Sequence, residues 1–350
     1  MASTLFVSAP PVLLLPVEWN TQCSRVMMRS PERMSEEFRM ASFETVRVAA
    51  VQATPVILDA EATIAKAIGL IGEAAADGSR LVVLPECFVS LYPTGAWAAA
   101  AATWTEGCDR LWERMWASGV DVNGPLVGRL VKACAEHGVY VAIGVNERED
   151  DRPGSLYSTL LLLGPEGVMH RHRKLMPTMH ERVFYGVGAG DDLDVVDLPG
   201  VGRVGGLICW ENRMPLARWA VYQGGPQIWL APTADDSEGW LVSMRHIAME
   251  AGAFVVSAPQ YIPAAAFPSD FPLPLPPGQE VFGRGGACIV SPVGDLIAGP
   301  LCDAEGIVTA DCDLREVLHA KRYFDVAGHY ARADVLSKYQ ASPEIRNHAT

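Results

Sequence analysis

Short runs of apolar, β-branched residues alternate with segments of helical periodicity along most of this chain, and this alternation restricts the fold more than any other feature. The run VRVAAVQ (46–52) predicts a buried strand. In residues 60–78, Ile64 and Ile71 recur at helical spacing before Gly78, which predicts a helix that ends near the glycine. A strand followed by a helix, repeated along the chain, indicates a layered α/β domain.

The alternation continues toward the far end of the sequence. Further strands are predicted at residues 81–86, 139–145, 157–163, 203–210, 226–232, 253–258, 287–292 and 307–313. Further helices are predicted at residues 124–137, 213–222 and 241–251. We expect the strand 203–210 to end on Cys209 and Trp210. A short turn over residues 150–155 joins two of the strands, which predicts that antiparallel pairs accompany parallel ones.

The two ends of the chain differ from this pattern. Residues 1–44 are rich in Pro, Ser, Arg and Met and show no sustained period. We expect them to be a disordered extension or the product of a mis-assigned start, with Met34 or Met40 as the natural first residue. Residues 45–335 are assigned to the folded domain, and residues 336–350 to a C-terminal tail.

The net charge and the N-terminal segment argue against a nucleic-acid-binding protein, a membrane protein and a secreted protein. The formal net charge is −13 and no basic stripe is present, which argues against nucleic-acid binding. The apolar segment Leu5 to Val17 is interrupted by prolines and is shorter than the ~20 residues of a membrane-spanning helix. No Lys or Arg precedes Arg25, whereas a signal peptide begins with a cationic region. These features predict a cytoplasmic protein that binds neither nucleic acid nor membrane.

The cysteine and histidine patterns predict reduced thiols and no metal. Eight cysteines are present and no two form a C-x-x-C pair, so neither a zinc knuckle nor a thioredoxin-like motif is predicted. In a large acidic chain without an export signal, buried free thiols are expected. His170, His172 and His180 show no ligand geometry and no implied carboxylate partner. The segment Gly200–Gly205 fits G-x-G-x-x-G, but it precedes a strand and therefore predicts a turn.

Three reactive side chains lie at or just beyond the ends of apolar strands: Glu86, Lys174 and Cys209. Active sites of α/β folds lie there, since the strand is rigid and the following loop is open. A carboxylate can accept a thiol proton, and an ammonium can stabilise a thiolate or substrate charge. Each residue also has a structural interpretation: a core cysteine, a helix-capping glutamate or a solvated lysine. The residues alone leave both interpretations open.

Longer motifs around these residues resemble those of a known family. LPECF (84–88), HRKLMPTMHER (172–182) and GLICWENRMP (206–215) resemble, in order, the three signature segments of the nitrilase superfamily of carbon–nitrogen hydrolases. Further segments similar to nitrilases are VAAVQATPV (48–56), SMRHIAMEAGAFVVSA (243–258) and YFDVAGHYARADV (323–335). The resemblance covers about residues 45–335.

The resemblance implies a four-layer α-β-β-α sandwich with a Glu–Lys–Cys catalytic set. By position, Cys209 is the nucleophile, Lys174 is the catalytic lysine and Glu86 is the general base. Glu181 matches a further glutamate that supports the site, and a backbone N–H near Trp210 is expected to stabilise charge on the substrate. No cofactor and no metal are implied. The resemblance also implies a homo-oligomer, either dimer-based or spiral.

Two details of the motifs resemble the true nitrilase branch. Trp210 follows the nucleophile in C-W-E-N, and Pro177-Thr178 follow the lysine motif. The implied function is hydrolysis of an organic nitrile to the carboxylic acid and ammonia through a cysteine thioimidate and thioester. The alternatives are an aliphatic amidase or N-carbamoyl hydrolase with the same catalytic set, and a catalytically silent oligomeric scaffold. Departures from the family pattern at Cys87 and Ala333 leave the class of nitrile open.

Two further segments could shape access to a substrate. The Pro-rich stretch 264–278 predicts a long loop that acts as a lid or as an oligomer contact. Trp97 and Tyr92 could line a substrate pocket.

Overall fold

The strands and helices expected from the sequence account for most of the regular structure in the computed structural model, which describes residues 43–340. The expectations for residues 1–42 and 341–350 lie outside the described residues. The strands in this range are β1 (Thr45–Gln52), β2 (Leu81–Val83), β3 (Tyr140–Arg148), β4 (Leu156–Gly164), β5 (Gly167–Arg173), β6 (Val196–Leu198), β7 (Gly202–Gly206), β8 (Ile228–Thr233), β9 (Phe254–Pro259), β10 (Tyr261–Pro263), β11 (Val281–Val290), β12 (Leu296–Cys302) and β13 (Gly306–Asp313). The α-helices are α1 (Ala60–Ala76), α2 (Gly95–Ala98), α3 (Glu106–Ala117), α4 (Pro125–His137), α5 (Pro215–Tyr222), α6 (Glu238–Ala251), α7 (Arg315–Tyr323) and α8 (Ala333–Gln340).

The strands form two mixed sheets. The first has six strands in the order β13-β1-β2-β3-β4-β5, and the second has seven in the order β10-β11-β9-β8-β7-β6, with β12 paired to β11. The central strands β1-β2-β3 and β7-β8-β9 are parallel. The outer pairs are antiparallel, and they include β3 and β4, which are joined by the expected turn.

Side chains of both sheets build the core between them. Val48 and Leu81 of the first sheet share one buried cluster with Ile228 and Val256 of the second. Because successive side chains on a strand point to opposite faces, each sheet carries a second apolar face. On the first sheet this face packs against α1 and α4, and on the second it packs against α5 and α6. The layers are α-β-β-α, so the predicted four-layer sandwich is confirmed.

The helix boundaries have local sequence causes. Asp59 accepts the N–H of Ala62 at 2.9 Å and so caps the start of α1. Pro125 occupies the first turn of α4, and Gly138 ends that helix in the left-handed conformation (φ +66°). Of the helices within residues 43–340, none is both long and apolar enough to cross a membrane.

The predicted strand before the reactive cysteine is too long. Strand β7 ends at Gly206, and Cys209 and Trp210 begin a 3-10 helix, so the prediction that they end a strand is wrong. Cys209 has φ of +48°, which an extended strand does not allow. The Glu211 carboxylate accepts the N–H of Ile208 at 2.8 Å and holds this turn. Hydrophobic periodicity carries no information about such a turn.

The cysteines agree with the expectation of reduced thiols. Within the described part of the chain all seven are free, and six of them are buried, whereas Cys302 is exposed. The segment at Gly200 forms the predicted turn that leads into β7.

The Pro-rich stretch 264–278 packs on the domain through its aromatic residues. Phe267 and Phe271 contact Trp97 edge to face, with ring centroids 6.5 and 5.2 Å apart. Leu273 joins the same buried cluster. Trp97 is 1% exposed and is therefore part of this packing. A role of the stretch as a lid or as an oligomer contact stays a prediction.

Candidate active site

Glu86 follows the first sheet's central strand at a point where the chain packs tightly. Strand β2 ends at Val83, and Pro85, which has no N–H to donate, comes just before Glu86. The neighbouring strand β3 passes so close that a Cβ at Gly144 would lie 2.6 Å from the Glu86 Cα. Gln260 donates to the backbone carbonyl of Glu86 at 2.8 Å. These contacts fix the carboxylate in the interior, where it is 0% exposed.

Lys174 and Glu181 come from one continuous segment that starts at the end of β5. Lys174 is the first residue after this strand. Glu181 lies in the 3-10 helix Met179–Val183, and its carboxylate accepts the N–H of Thr178 at 2.8 Å as part of a capping box. The Tyr92 hydroxyl donates to the other Glu181 oxygen at 2.5 Å. The helix cap and the tyrosine therefore hold Glu181 in one orientation.

Cys209 lies at a sharp turn between β7 and the short helix Cys209–Arg213. Its positive φ is uncommon for a residue other than glycine, and the surroundings must hold it. The Asn212 amide donates to the backbone carbonyl of Cys209 at 2.9 Å, and it also accepts from the indole of Trp229 at 2.7 Å. The Thr233 hydroxyl donates to the Cys209 sulfur at 3.2 Å. The turn presents the thiol just beyond the end of β7, one of the parallel strands of the second sheet.

The ammonium of Lys174 joins the two carboxylates. Its Nζ lies 2.6 Å from Glu86 Oε1 and 2.6 Å from Glu181 Oε2, and all three side chains are fully buried. The second oxygen of Glu86, Oε2, is also buried. It forms no hydrogen bond with any of the described residues. The Cys209 thiol is near enough to lower the Glu86 pKa slightly as a hydrogen-bond donor. The structure thus brings together Glu86, Lys174, Glu181 and Cys209.

Burial sets the protonation states in this cluster. Burial raises the pKa of Glu86 to about 7, because desolvation and the nearby Glu181 outweigh the attraction of Lys174. Burial, and then the Glu86 charge, also raise the pKa of the Cys209 thiol. Burial by itself would lower the pKa of Lys174, but the surrounding anionic groups raise it well above its usual value. The resting site therefore contains an ammonium, a neutral thiol and a carboxylate able to gain or lose a proton near neutral pH.

Trp210 points its side chain away from this cluster. The indole N–H donates to Asp235 at 2.7 Å, and the Arg213 guanidinium lies 4.6 Å from the ring centroid. The side chain is partly exposed. The backbone N–H of Trp210 lies in the first turn of a 3-10 helix, where N–H groups have no acceptor within the helix. Of Trp210, therefore, the backbone N–H and not the side chain is the candidate for a contact with substrate.

One expectation about the histidines is wrong. His172 has carboxylate partners on both ring nitrogens: Nδ1 lies 2.9 Å from Asp192 and Nε2 lies 3.0 Å from Glu211. The sequence did not reveal them because they lie 20 and 39 residues farther along the chain. No group of three or more His, Cys, Asp or Glu side chains within residues 43–340 is arranged to hold a metal ion.

A cavity of about 780 Å³ lies elsewhere on the domain, between the start of α1 and the end of α3. Its lining includes Arg114, Arg148 and Pro268, but none of the four clustered residues. The cluster is buried, just beyond the ends of β2, β5 and β7. Because the cluster combines a thiol, an ammonium and two carboxylates, we take it and not this cavity as the candidate site.

Comparison with known proteins identifies the family. The sequence model of the carbon-nitrogen hydrolase family matches residues 47–322. An aliphatic nitrilase of Sinorhizobium fredii is 45% identical over 293 residues, which cover 83% of this chain and 94% of the relative. The chain belongs to the nitrilase branch of the carbon-nitrogen hydrolases. Among other members, nitrilase 1 of Arabidopsis thaliana is 43% identical over 85% of this chain and 87% of its own. A bifunctional nitrilase/nitrile hydratase, NIT4B of Nicotiana tabacum, is 41% identical over 88% of both chains.

Solved structures share the nitrilase fold with this chain. Nit3 of Saccharomyces cerevisiae, a member of branch 10 of the nitrilase superfamily, superposes with a TM-score of 0.65 over 82% of this chain and 97% of its own. A carbon-nitrogen hydrolase from Helicobacter pylori gives a TM-score of 0.66 over 86% of this chain. Their identities of 19% and 16% make this a likeness of fold.

Several residues at this nitrilase site were not found from the sequence. Thr233 contacts the thiol, Gln260 holds the Glu86 backbone and Tyr92 orients Glu181. The sequence suggests only a pocket-lining position for Tyr92. Thr233 ends β8, so its position at a strand end was a usable signal. Gln260 and Tyr92 have no local signal, because their role depends on contacts across the fold.

Proposed function

We propose that this chain hydrolyses an organic nitrile to the carboxylic acid and ammonia, with Cys209 as the nucleophile. The proposal rests on one observation: the buried Cys209 thiol lies near the Glu86 carboxylate, whose Oε2 has no hydrogen-bond partner among the described residues. The Lys174 ammonium lies 2.6 Å from the other oxygen of this carboxylate. An unpaired buried carboxylate oxygen is unfavourable for folding alone, and such groups occur at catalytic sites. The identities of 41–45% to proteins named nitrilases support the same reaction.

In the first half of the reaction, Glu86 takes the thiol proton of Cys209 and the sulfur attacks the nitrile carbon. One C≡N π bond breaks, and its nitrogen receives the proton from Glu86, which gives a thioimidate. Lys174 and the backbone N–H of Trp210 stabilise the charge that develops on nitrogen. Glu181 keeps the ammonium in place, because it binds the same Nζ as Glu86 does.

In the second half, Glu86 removes a proton from water, which adds to the thioimidate carbon. Glu86 passes this proton to the nitrogen, then takes the proton of the new hydroxyl group and gives it to the same nitrogen. Ammonia leaves as the C=O bond forms, and a thioester remains on Cys209. A second water hydrolyses the thioester, releases the acid and restores the thiol. One carboxylate can alternate between base and acid because its pKa of about 7 lies near neutral pH.

The tetrahedral carbon has a second way to collapse. If the Cys209 sulfur leaves before ammonia does, the product is the amide. The relative from Nicotiana tabacum that is named a bifunctional nitrilase/nitrile hydratase makes this second outcome a specific candidate for part of the turnover. Which group leaves depends on whether the proton from Glu86 reaches nitrogen or sulfur.

The test of the function measures ammonia, acid and amide released from a panel of aryl, arylaliphatic and aliphatic nitriles, with the matching amides alongside. We expect acid and ammonia in equal amounts from at least one class of nitrile, with amide as a minor product. Chromatography separates the two products, and the best substrate identifies the class of nitrile. Ammonia from amides alone would assign the chain to amidase chemistry instead, and no product from either set would contradict the proposal.

Glu86→Gln is expected to reduce kcat by about 10³-fold, because the amide cannot accept the thiol proton. The variant should fold, since Lys174 keeps Glu181 as its partner.

For the wild type, kcat/KM should rise as the pH increases through about 7, because the reaction needs the ionised form of Glu86 and its pKa lies there. Kinetics between pH 5 and pH 9 measure this; the limits are about two units either side of that pKa. Wild-type activity in Glu86→Gln would exclude Glu86 as the base.

Assembly and location belong to the same proposal. Two large apolar side chains, Leu216 on α5 and Val242 on α6, are 75% and 62% exposed on the outer helical layer of the second sheet. We propose a homo-oligomer, either dimer-based or spiral, whose contacts would cover such side chains. The expectations of a cytoplasmic protein and of a domain that spans residues 45–335 stay predictions.

A further inference from the structure

A second buried cluster is hydrogen-bonded to the backbone on either side of Lys174. It contains His172, Asp192 and Glu211, none of which the proposed reaction uses. The imidazole lies between the two carboxylates, 2.9 Å from Asp192 Oδ1 and 3.0 Å from Glu211 Oε2. The side chains of His172 and Glu211 are 2% and 0% exposed, and that of Asp192 is 18% exposed. A buried charged group of this kind is unfavourable unless its partners are fully matched.

The two carboxylates also hold the backbone on both sides of Lys174. Asp192 Oδ2 accepts the N–H of Arg173 at 3.0 Å, and Glu211 Oε1 accepts the N–H of Leu175 at 2.6 Å. Because these peptide groups flank the lysine, its Cα position is fixed from both directions.

Glu211 extends the same network to the nucleophile. Its Oε2 accepts the N–H of Ile208, the residue just before Cys209, at 2.8 Å. One buried carboxylate therefore joins the end of β5, which carries Lys174, to the turn that carries Cys209. These two segments belong to different sheets, and Glu211 ties their backbones together through its own two oxygens.

The charge state of His172 suits this role. Both ring nitrogens face carboxylate oxygens, which only accept hydrogen bonds, so both nitrogens must carry a hydrogen. Burial by itself lowers the pKa of His172, but Asp192 and Glu211 raise it to about 9. The imidazolium thus places a positive charge between the two carboxylates.

We propose that His172, Asp192 and Glu211 form a positioning clamp that sets the separation between the Lys174 ammonium and the Cys209 thiol. The clamp touches neither the substrate nor the reacting atoms. This inference rests on the proposed roles of Lys174 and Cys209. A misplacement of about 1 Å between reacting groups can lower a rate about 10²-fold, so the clamp should act mainly on kcat.

The first test is Glu211→Gln, measured as kcat and KM for the best nitrile. The glutamine keeps the shape of the side chain, but its NH₂ group must face one of the two backbone N–H donors, so one tie is lost. We expect kcat to fall about 30- to 100-fold, by analogy with the effect of misplaced reacting groups, while KM changes less than about threefold. Glu211→Asp, which keeps the charge but shortens the reach, should not restore kcat.

Glu147→Gln is the matched control. Glu147 is buried like Glu211, with a side chain that is 2% exposed, and it binds Arg171 and Arg173 on the opposite face of the same strand. A general loss of stability in β5 would affect both variants alike. We expect Glu147→Gln to lower the thermal midpoint at least as much as Glu211→Gln while it keeps wild-type kcat. Equal losses of kcat in the two variants would overturn the clamp.

Thiol reactivity gives a readout that does not depend on turnover. Iodoacetamide modification is followed by peptide mass spectrometry, with the exposed Cys302 as an internal reference. We expect Glu211→Gln to slow the modification of Cys209 about tenfold and to leave Cys302 unchanged, because Glu86 and Lys174 no longer face the thiol correctly. Equal Cys209 rates in the wild type and the variant would contradict the proposal.

Asp192→Asn covers the case in which Glu211→Gln does not fold, since Asp192 is the least buried member of the clamp. It should lower kcat about tenfold without a change in KM. The substitution weakens the hydrogen bond from the Arg173 N–H and removes one of the two negative charges beside the His172 imidazolium. Wild-type kcat in Asp192→Asn and in His172→Gln would overturn the inference. If Cys209→Ala is inactive and these variants keep wild-type activity, the clamp is wrong but the proposed function stands. If Cys209→Ala keeps wild-type activity, the proposed function itself is wrong.

Discussion

Cys209→Ala is expected to reduce kcat for nitrile hydrolysis by at least about 10⁴-fold, because no other group in the site can form the covalent intermediate. The fold should survive. Alanine tolerates the positive φ of position 209 no worse than cysteine does, and the change in the free energy of unfolding should stay within about 2 kcal/mol. Steady-state kinetics and thermal unfolding measure the two effects.

Cys288→Ala is the matched control for this loss. Cys288 is also a free, buried thiol, at 1% exposure, but it lies within β11. The same atoms are deleted, so any general effect of thiol removal appears in both variants, whereas kcat should fall only in Cys209→Ala. In the wild type, acid quenching during turnover should trap an acyl mass on the peptide that contains Cys209. If Cys209→Ala kept a tenth of the wild-type kcat, Cys209 could not be the nucleophile.

Lys174→Met is expected to lose both activity and stability. Activity should fall about 10³-fold, as after removal of a group that stabilises transition-state charge. The loss of stability should be about 3–5 kcal/mol, because Glu86 and Glu181 would remain buried without their shared cation. Methionine fills a similar volume, so the effect reports charge and not a cavity.

The stability defect of Lys174→Met should depend on pH in a defined direction. Without the ammonium, the pKa of Glu86 in the folded protein should rise further above its unfolded value of 4.5. A raised carboxyl pKa means that the folded state loses stability as the pH rises above 4.5, so the defect should be smaller at pH 5 than at pH 8. Denaturant unfolding at the two pH values measures it. A constant defect would show that packing, not charge, is responsible.

Lys66→Met is the control for a lysine paired with a carboxylate. Lys66 lies 2.6 Å from Glu305, but the two side chains are 30% and 43% exposed. Solvent screens such a pair, so its removal should change stability by at most about 1 kcal/mol and leave kcat unchanged. The difference between the two lysine variants isolates the effect of burial.

The fold was largely predictable because its causes are local. Helix ends depend on capping side chains and on the backbone conformation of a few neighbouring residues. Asp59 marks the start of α1, and Pro125 and Gly138 mark the start and end of α4. The predicted strand through Cys209 failed because the turn there depends on a side chain that reaches back to Ile208 and on contacts with another sheet. Strands β10 and β12 were not predicted, because pairing with β11, and not a pattern of their own, defines them.

By itself, the sequence determined the alternation of strands and helices and the family motifs, and through those motifs it indicated Glu86, Lys174, Glu181 and Cys209 as candidate site residues. Those features depend on residues near one another in the chain. Only the tertiary structure decided that Lys174 bridges Glu86, 88 positions away, that the thiol is neutral at rest, and that Glu211 joins the two halves of the site. Desolvation and charge interactions depend on distances in three dimensions, and chain positions do not contain those distances.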